Sequence, residues 1–353
     1  MRLGVLEKNL TDQIQSRIRD VTPGVLIRAY QAGKMVVDIS VGETWAYYDL
    51  ASLTKVIFTV QAFMLAFERN LWNRDTRVCD ILSWYPHPQV KISNLLTHSS
   101  GLPWWKPIYQ ELDLTKAPPQ RREQLKTILQ GLPLEETEQS IYSDIGFLLA
   151  GFVLEQLYQK PLFEVWEETK ENFYDGTTLD FHPGHEPKQR RSFYAPTEEC
   201  PWRKRLLQGE VHDENAWALG GVSTHAGLFG SIDDAGWALL NVRSQYFGIG
   251  RSPIKMKTAK FFAHRARPEG LGDWAMGFMM PTPGSASCGV HFSLDSIGHT
   301  GFTGTSLWFD PKSDLAIAIL SNRVLYGREN QTFKLLRPEI HNWIVEGLRR
   351  SSF

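Results

Sequence analysis

Cysteine is scarce in this chain of 353 residues: Cys79, Cys200 and Cys288 are odd in number and widely spaced. That argues against a disulfide framework or a compact zinc motif and suits reduced thiols in a cytosol. An excess of one charge is also lacking, with 38 Lys and Arg against 39 Asp and Glu and a formal net charge of −1. No net field therefore draws in nucleic acid or an anionic membrane, and neither is expected as a partner. Long apolar runs are missing too. VIFTVQAFMLAF, from Val56 to Phe67, lies between Lys55 and Glu68 and is interrupted by Gln61, too short a run to span a bilayer. The first thirty residues carry Glu7, Lys8, Asp12, Arg17, Arg19 and Asp20 where a secretory leader would have an apolar core. A cytoplasmic location is the expectation.

What the chain does have is material for a large core, 42% hydrophobic and 12% aromatic. Leu6, Leu10, Ile14 and Ile18 recur every four positions, which predicts an amphipathic helix over 4–19. After the Pro23-Gly24 turn, GVLIRAY and KMVVDISVG read as two strands joined at QAG. The apolar run reads as a helix over about 52–70. Helical patterns follow near QVKISNLLTH, PQRREQLKTILQG and IGFLLAGFVLEQLYQK, with few strand-like runs between 71 and 215. A helix is expected over 232–244, then a hairpin, TSLWFDPKSDLAIAILSN, turning at Asp310 to Asp314. A last helix is expected over about 332–350, spaced by Leu335, Ile340, Trp343, Ile344 and Leu348. Strands at both ends with helices between them predict an α/β (α+β) fold in a single domain. Its sheet part would cover roughly 1–60 and 230–353, and a mostly helical part 61–229. A cleft between the two parts is a usual place for a site.

Ser52 and Lys55 stand three positions apart at the head of the apolar run. The spacing alone arises by chance roughly once in a chain of this size. Ser252 and Lys255 repeat it, but Pro253 suits a first helical position and Ser252 an N-cap, so that hydroxyl is assigned to backbone amides. At the N-terminal end of an apolar helix, Ser52 and Lys55 would share one face, and free amides with the helix dipole would favour an oxyanion beside the serine. Tyr142-Ser143-Asp144 opens another apolar helix, where the phenol could relay a proton or simply pack, with Asp144 as N-cap. His299-Thr300-Gly301 precedes the hairpin, with Gly298, Gly301 and Gly304 allowing a close substrate approach.

In this order and spacing, DLASLTK, LLTHSSGLP, YSDIGF, VHDENAWALGGVSTHAGLFG and HTGFTG resemble the motifs of the penicillin-recognising serine hydrolases. These are class C β-lactamases, D-alanyl-D-alanine carboxypeptidases and related esterases, and the likeness runs over nearly the whole chain. The tyrosine motif and the 211–230 stretch are most similar to a subgroup that includes cytoplasmic N-acetylmuramoyl-L-alanine amidases. The resemblance implies a β-lactamase/transpeptidase-like fold with an antiparallel sheet. It also implies an acyl-enzyme at Ser52, proton transfer through Lys55 and Tyr142, and oxyanion donors from the backbone amides of Ser52 and Phe302. The partner is a small-molecule substrate, and no metal or organic cofactor is required.

Two residues depart from the commoner family pattern. Asp144 stands where many relatives have asparagine, and a carboxylate there would hold Lys55 charged and hand the base role to Tyr142. His299 replaces the lysine of most β-lactamases, giving a weaker clamp for a substrate carboxylate. Asp144, His299, Thr300, Gly301, Asp213, Asn215 and His225 are the candidate substrate-binding residues, with His212 beside them; capping and loop-fixing are the alternatives for Asp213 and Asn215. His182 and His185 are explained by the turn at Pro183-Gly184. Trp104 and Trp105 would line a sugar- or acyl-binding wall or fill the core. An amidase of muropeptide fragments is the leading expectation. A carboxylesterase, a D-Ala-D-Ala carboxypeptidase and an inactive scaffold of the same fold are the alternatives.

Overall fold

A computed structural model describes residues 3–268 and 270–351. Five antiparallel strands form the central sheet, in the spatial order Lys34–Gly42, Gly24–Gln31, Leu315–Ser321, Ser306–Asp310 and Ile297–Thr300. The two chain ends thus interleave, as expected. Gln31 pairs with Lys34 across a two-residue turn in which Ala32 (φ 49°) and Gly33 (φ 76°) are both left-handed, the geometry that matches strand twist. The later hairpin pairs Asp310 with Leu315, and the Asp310 carboxylate accepts from the Lys312 amide at 3.0 Å within the turn.

Strand alternation assigns the two faces of the sheet. Val25, Ile27, Ala29, Leu315, Ile317, Ile319 and Trp308 pack with Leu6, Leu10, Ile14, Ile340 and Ile344 of the terminal segments. Ala316, Ala318, Leu320, Leu307 and Phe309 face the larger core with the apolar run and the helix Ile232–Phe247. The strand Leu315–Ser321 is buried along its whole length, because helices cover both of its faces.

Several elements depart from the expected pattern. The first helix ends at Gln15, with buried Ile18 beyond it. The helix Thr332–Ser351 buries Phe333, Leu336, Ile340 and Ile344 and leaves Leu335 71% exposed, so the inward stripe is rotated by one residue there. The middle segment holds an additional hairpin, Pro196–Cys200 with Arg205–Gln208, and an additional helix, Leu162–Phe173. Among the described residues, no helix is long and apolar enough to cross a membrane.

The apolar run is not one α-helix. Leu53, Thr54 and Lys55 donate to carbonyls three residues back, a brief α-helical start at Leu53 and Thr54 widens into a π turn over Lys55–Thr59, and α-helix resumes from Val60 to Glu68. Such wide turns recur at functional sites, because they redirect a side chain without breaking the helix. Here the redirected residue is Lys55.

Candidate active site

Ala51 (φ 48°) bends the chain into the serine turn, and the buried Asp49 carboxylate secures that bend by accepting from the Ala51 amide at 2.8 Å and the His212 amide at 2.7 Å. Ser52 is half-buried beyond the bend. Its Oγ lies 2.9 Å from Tyr142 Oη and 3.1 Å from Lys55 Nζ. Lys55 is completely buried, and its amine also donates to the His225 carbonyl at 2.8 Å and lies 2.7 Å from Asp144 Oδ1. Three oxygens therefore surround one nitrogen. An ammonium donates to all three; a neutral amine donates to His225 O and Asp144 and turns its lone pair to the Ser52 hydroxyl.

Burial is the strongest influence on both titrating partners of the serine. It pulls the Lys55 amine below the ordinary lysine range, opposed by Asp144. Burial likewise holds the Tyr142 phenol well above 10, and the Asp144 charge pushes it further in that direction. These directions run against the expected division of labour: a phenolate at Tyr142 is disfavoured, and the buried amine is the group that deprotonates more readily. The tyrosine motif is positioned as expected, but Ser143 caps the helix Asp144–Tyr158, accepting from the Gly146 amide at 2.9 Å. Asp144 is thereby left to Lys55.

On the sheet side, His299 is buried at the end of the strand Ile297–Thr300 and its Nδ1–H donates to the Thr300 carbonyl at 2.8 Å. Burial, and then the charge on Lys55, push the imidazole down to about 3, so it stays neutral with Nε2 as a free lone-pair acceptor. It is a hydrogen-bond acceptor and no carboxylate clamp. Gly301 is required by its own surroundings: a Cβ would sit 2.0 Å from Thr305 Oγ1 and 2.8 Å from the Leu50 carbonyl. At Gly298 a Cβ would meet Leu307 O at 2.2 Å. Both glycines make room for the surrounding protein, and Gly301 also lines the cleft over Ser52. The Ser52 and Phe302 amides donate to no backbone carbonyl among the described residues, which leaves them available to an oxyanion.

A cleft of about 560 Å³ opens over Ser52. Tyr142, Asp144, Asp213, His299, Thr300, Gly301 and Phe302 line it, as do Trp104 and Trp105. Trp104 is 62% exposed and belongs to the helical side, where its carbonyl accepts from the Asp144 amide at 2.9 Å. On the sheet side stand Arg328, Lys334 and Arg337. Arg337 is buried, donates to the Thr305 carbonyl at 2.9 Å and keeps an unpartnered Nε; burial and nearby Arg323 hold it down to about 10. Sequence reasoning missed these cations and Trp274, since nothing in their spacing ties them to Ser52.

Other candidates have structural roles. Asn215 is buried, accepting from the Tyr109 amide and donating to the Lys106 carbonyl, both at 2.9 Å, so it fixes a loop and does not line the cleft. The His225 ring is also buried and bonds Asp213 Oδ1 at 2.8 Å; its contribution to the centre is its carbonyl. Asp213 reaches the cleft and caps the helix Glu214–Ala218 through the Ala216 amide. Burial would raise its carboxyl, but His225 and that amide outweigh it and hold it well below the usual range. His212 lines the cleft, stacks on Phe302 and bonds Glu198 at 3.0 Å. His182 bonds the Gly209 carbonyl, and His185 stacks on Trp217.

A hydroxyl bonded to a buried amine and a phenol, beneath two free amides, is equipped for acyl transfer. The Beta-lactamase family model matches residues 8–337. The chain belongs to the β-lactamase family. It is a serine hydrolase with the β-lactamase/transpeptidase-like fold. An N-acetylmuramyl-L-alanine amidase of Bacillus subtilis (strain 168) is 30% identical over 332 residues, 84% of this chain and 72% of that protein. A putative D-alanyl-D-alanine carboxypeptidase of Escherichia coli (strain K12) is 32% identical over 313 residues, 79% of this chain and 70% of the relative. The class C β-lactamase from Rhodobacter sphaeroides shares the fold, with a TM-score of 0.69 at 19% identity over 96% of this chain and 99% of that one.

Proposed function

We propose that this β-lactamase-family hydrolase is an amidase of cell-wall muropeptide fragments, cleaving the bond between N-acetylmuramic acid and L-alanine through an acyl-enzyme at Ser52. The observation that carries the chemistry is the contact of Ser52 Oγ with both Lys55 Nζ and Tyr142 Oη. Ser52 Oγ attacks the amide carbon while its proton passes to the neutral Lys55 amine. The tetrahedral oxyanion is held by the Ser52 and Phe302 amides. The C–N bond then breaks as Tyr142 donates its proton to the departing nitrogen and regains one from Lys55. Water attacks the resulting ester, gives up a proton through the same pair, and releases the muramic acid carboxylate and Ser52. Lys55 is the base and Tyr142 the relay, in keeping with the directions in which burial displaces the two groups, the amine downward and the phenol upward.

The substrate class is supported by the Bacillus relative, named as an amidase of this kind. The cleft supports it as well. Its exposed tryptophan on the helical side suits a sugar ring, and Lys334 and Arg337 on the sheet side suit the carboxylates of an acidic peptide. A cytoplasmic location belongs to the same proposal and accords with three free cysteines. Nucleic acid and membrane have no part in it. Incubation with MurNAc-L-Ala-D-isoGlu should release free N-acetylmuramic acid, detected by mass spectrometry. Turnover of short-chain p-nitrophenyl esters without any sugar release would replace the amidase with an esterase.

A further inference from the structure

The loop from His98 to Trp104 grips the tyrosine motif from outside the reacting groups. The His98 carbonyl accepts from the Ile141 amide at 2.8 Å, and His98 Nδ1 accepts from the Ser143 amide at 3.0 Å. One residue thus binds the chain immediately before and immediately after Tyr142. Pro103 O accepts from the Ser143 hydroxyl at 2.6 Å, and Trp104 O accepts from the Asp144 amide. His98 itself is 2% exposed and left-handed at φ 53°, a conformation uncommon among non-glycine residues and adopted most often by asparagine, aspartate and histidine. Its ring centroid lies 4.8 Å from that of Tyr142, 4.3 Å from Trp274 and 5.1 Å from Phe147.

The geometry points to His98 as a positioning residue that brackets Tyr142 and holds its hydroxyl within reach of Ser52. It is not among the residues that line the cleft over Ser52. Its action depends on one tautomer: Nδ1 must carry the lone pair, so the proton sits on Nε2. Burial, and then the nearby Lys55, keep the ring from taking a second proton, which would abolish the acceptor. Among the bonds from this loop to residues 141–144, only the one from Nδ1 is made by an acceptor that mutation can remove, the rest using main-chain carbonyls.

The test rests on Ser52 as the nucleophile and compares three full-length variants. H98N keeps a side-chain acceptor at similar reach and tolerates the left-handed backbone, whereas H98F keeps a ring and H98G keeps the backbone freedom, both without an acceptor. The readouts are the rate of fluorophosphonate addition to Ser52 by intact mass, and kcat and KM on a p-nitrophenyl ester across pH. H98N should stay within about threefold of wild type. H98G and H98F should lose about tenfold or more in labelling rate and kcat, with KM within about threefold, because small misplacements of a reacting group cost rate. In both, the basic limb should move down toward the ordinary tyrosine range as water reaches Tyr142. If H98F does not fold, H98G carries the comparison. Wild-type kcat in H98G or H98F, or an equal loss in H98N, overturns the bracket. An unlabelled Ser52 in the wild type overturns the functional reading along with it.

Discussion

Residues 52–55 and 252–255 have the same Ser-x-x-Lys spacing in two different environments. Lys55 is fully buried, with Ser52, Asp144 and the His225 carbonyl around its amine. The Lys255 side chain is 67% exposed and pairs with Glu68 at 3.0 Å. Ser252 Oγ accepts from the Ile254 amide at 3.1 Å in the loop that precedes the helix Met256–Ala263. It occupies its hydroxyl with a backbone amide, as expected, but does not cap that helix, which Lys255 precedes directly. Spacing brings a lysine near a serine. Burial and a fixed set of acceptors are what favour a neutral, proton-accepting amine at the right place, and only the first site has them.

The largest effect should come from exchanging the two serines. Ser52→Ala should lower kcat by about 10⁴-fold or more and abolish fluorophosphonate addition, whereas Ser252→Ala should leave both unchanged. Equal effects of the two would erase the distinction. Next, Lys55→Met should lower kcat by about 10²–10⁴-fold. It should also destabilise by about 3–5 kcal/mol in urea melts, because it leaves Asp144 without its buried partner. Asp144→Asn introduced beside it should recover part of that stability, giving a double-mutant cycle that isolates the pair.

A finer test concerns proton position. Asp144 opposes the lowering of Lys55, so Asp144→Asn removes a stabiliser of the ammonium and lets the lysine pKa fall further. If the neutral amine is the base, the acidic limb of the kcat profile should move to lower pH. Asp144 raises Tyr142 as well, so an unmoved acidic limb would show that Asp144 is not coupled to the base at all. The smallest effect is expected at the decoy. Lys255→Ala removes a solvent-exposed ion pair and should change stability by no more than about 1 kcal/mol and leave the pH profile unchanged.

Sequence order was enough to single out Ser52, Lys55, Tyr142, Asp144, His299 and Phe302 as candidates, because their short motifs, taken together, resemble those of a known family. The hairpins and the terminal helices were legible for a different reason: alternation and four-residue recurrence report burial directly. Leu335 shows where that signal fails, since an apolar side chain at the right period can still face water when Leu336 takes the inward position. Asn215 fails differently. Its residue type suits a substrate amide, and only its contacts with Lys106 and Tyr109 show that its polar atoms are already satisfied. Arg337 and Trp274 had no local pattern to betray them, and His98 stood in the LLTHSSGLP motif without any sign of its contacts with the tyrosine motif.

The sequence by itself determined which side chains are candidates for nucleophilic and proton-transfer chemistry, and that both chain ends supply one antiparallel sheet. It did so because motifs and periodicity are local, and local sterics and burial leave their marks in consecutive residues. Only the tertiary structure decided how those groups titrate. The ordering of Lys55 below its usual range and Tyr142 above it comes from burial shared with Asp144, and the neutrality of His299 from burial beside Lys55. Those are sums over neighbours brought from distant parts of the chain, and no run of residues records them.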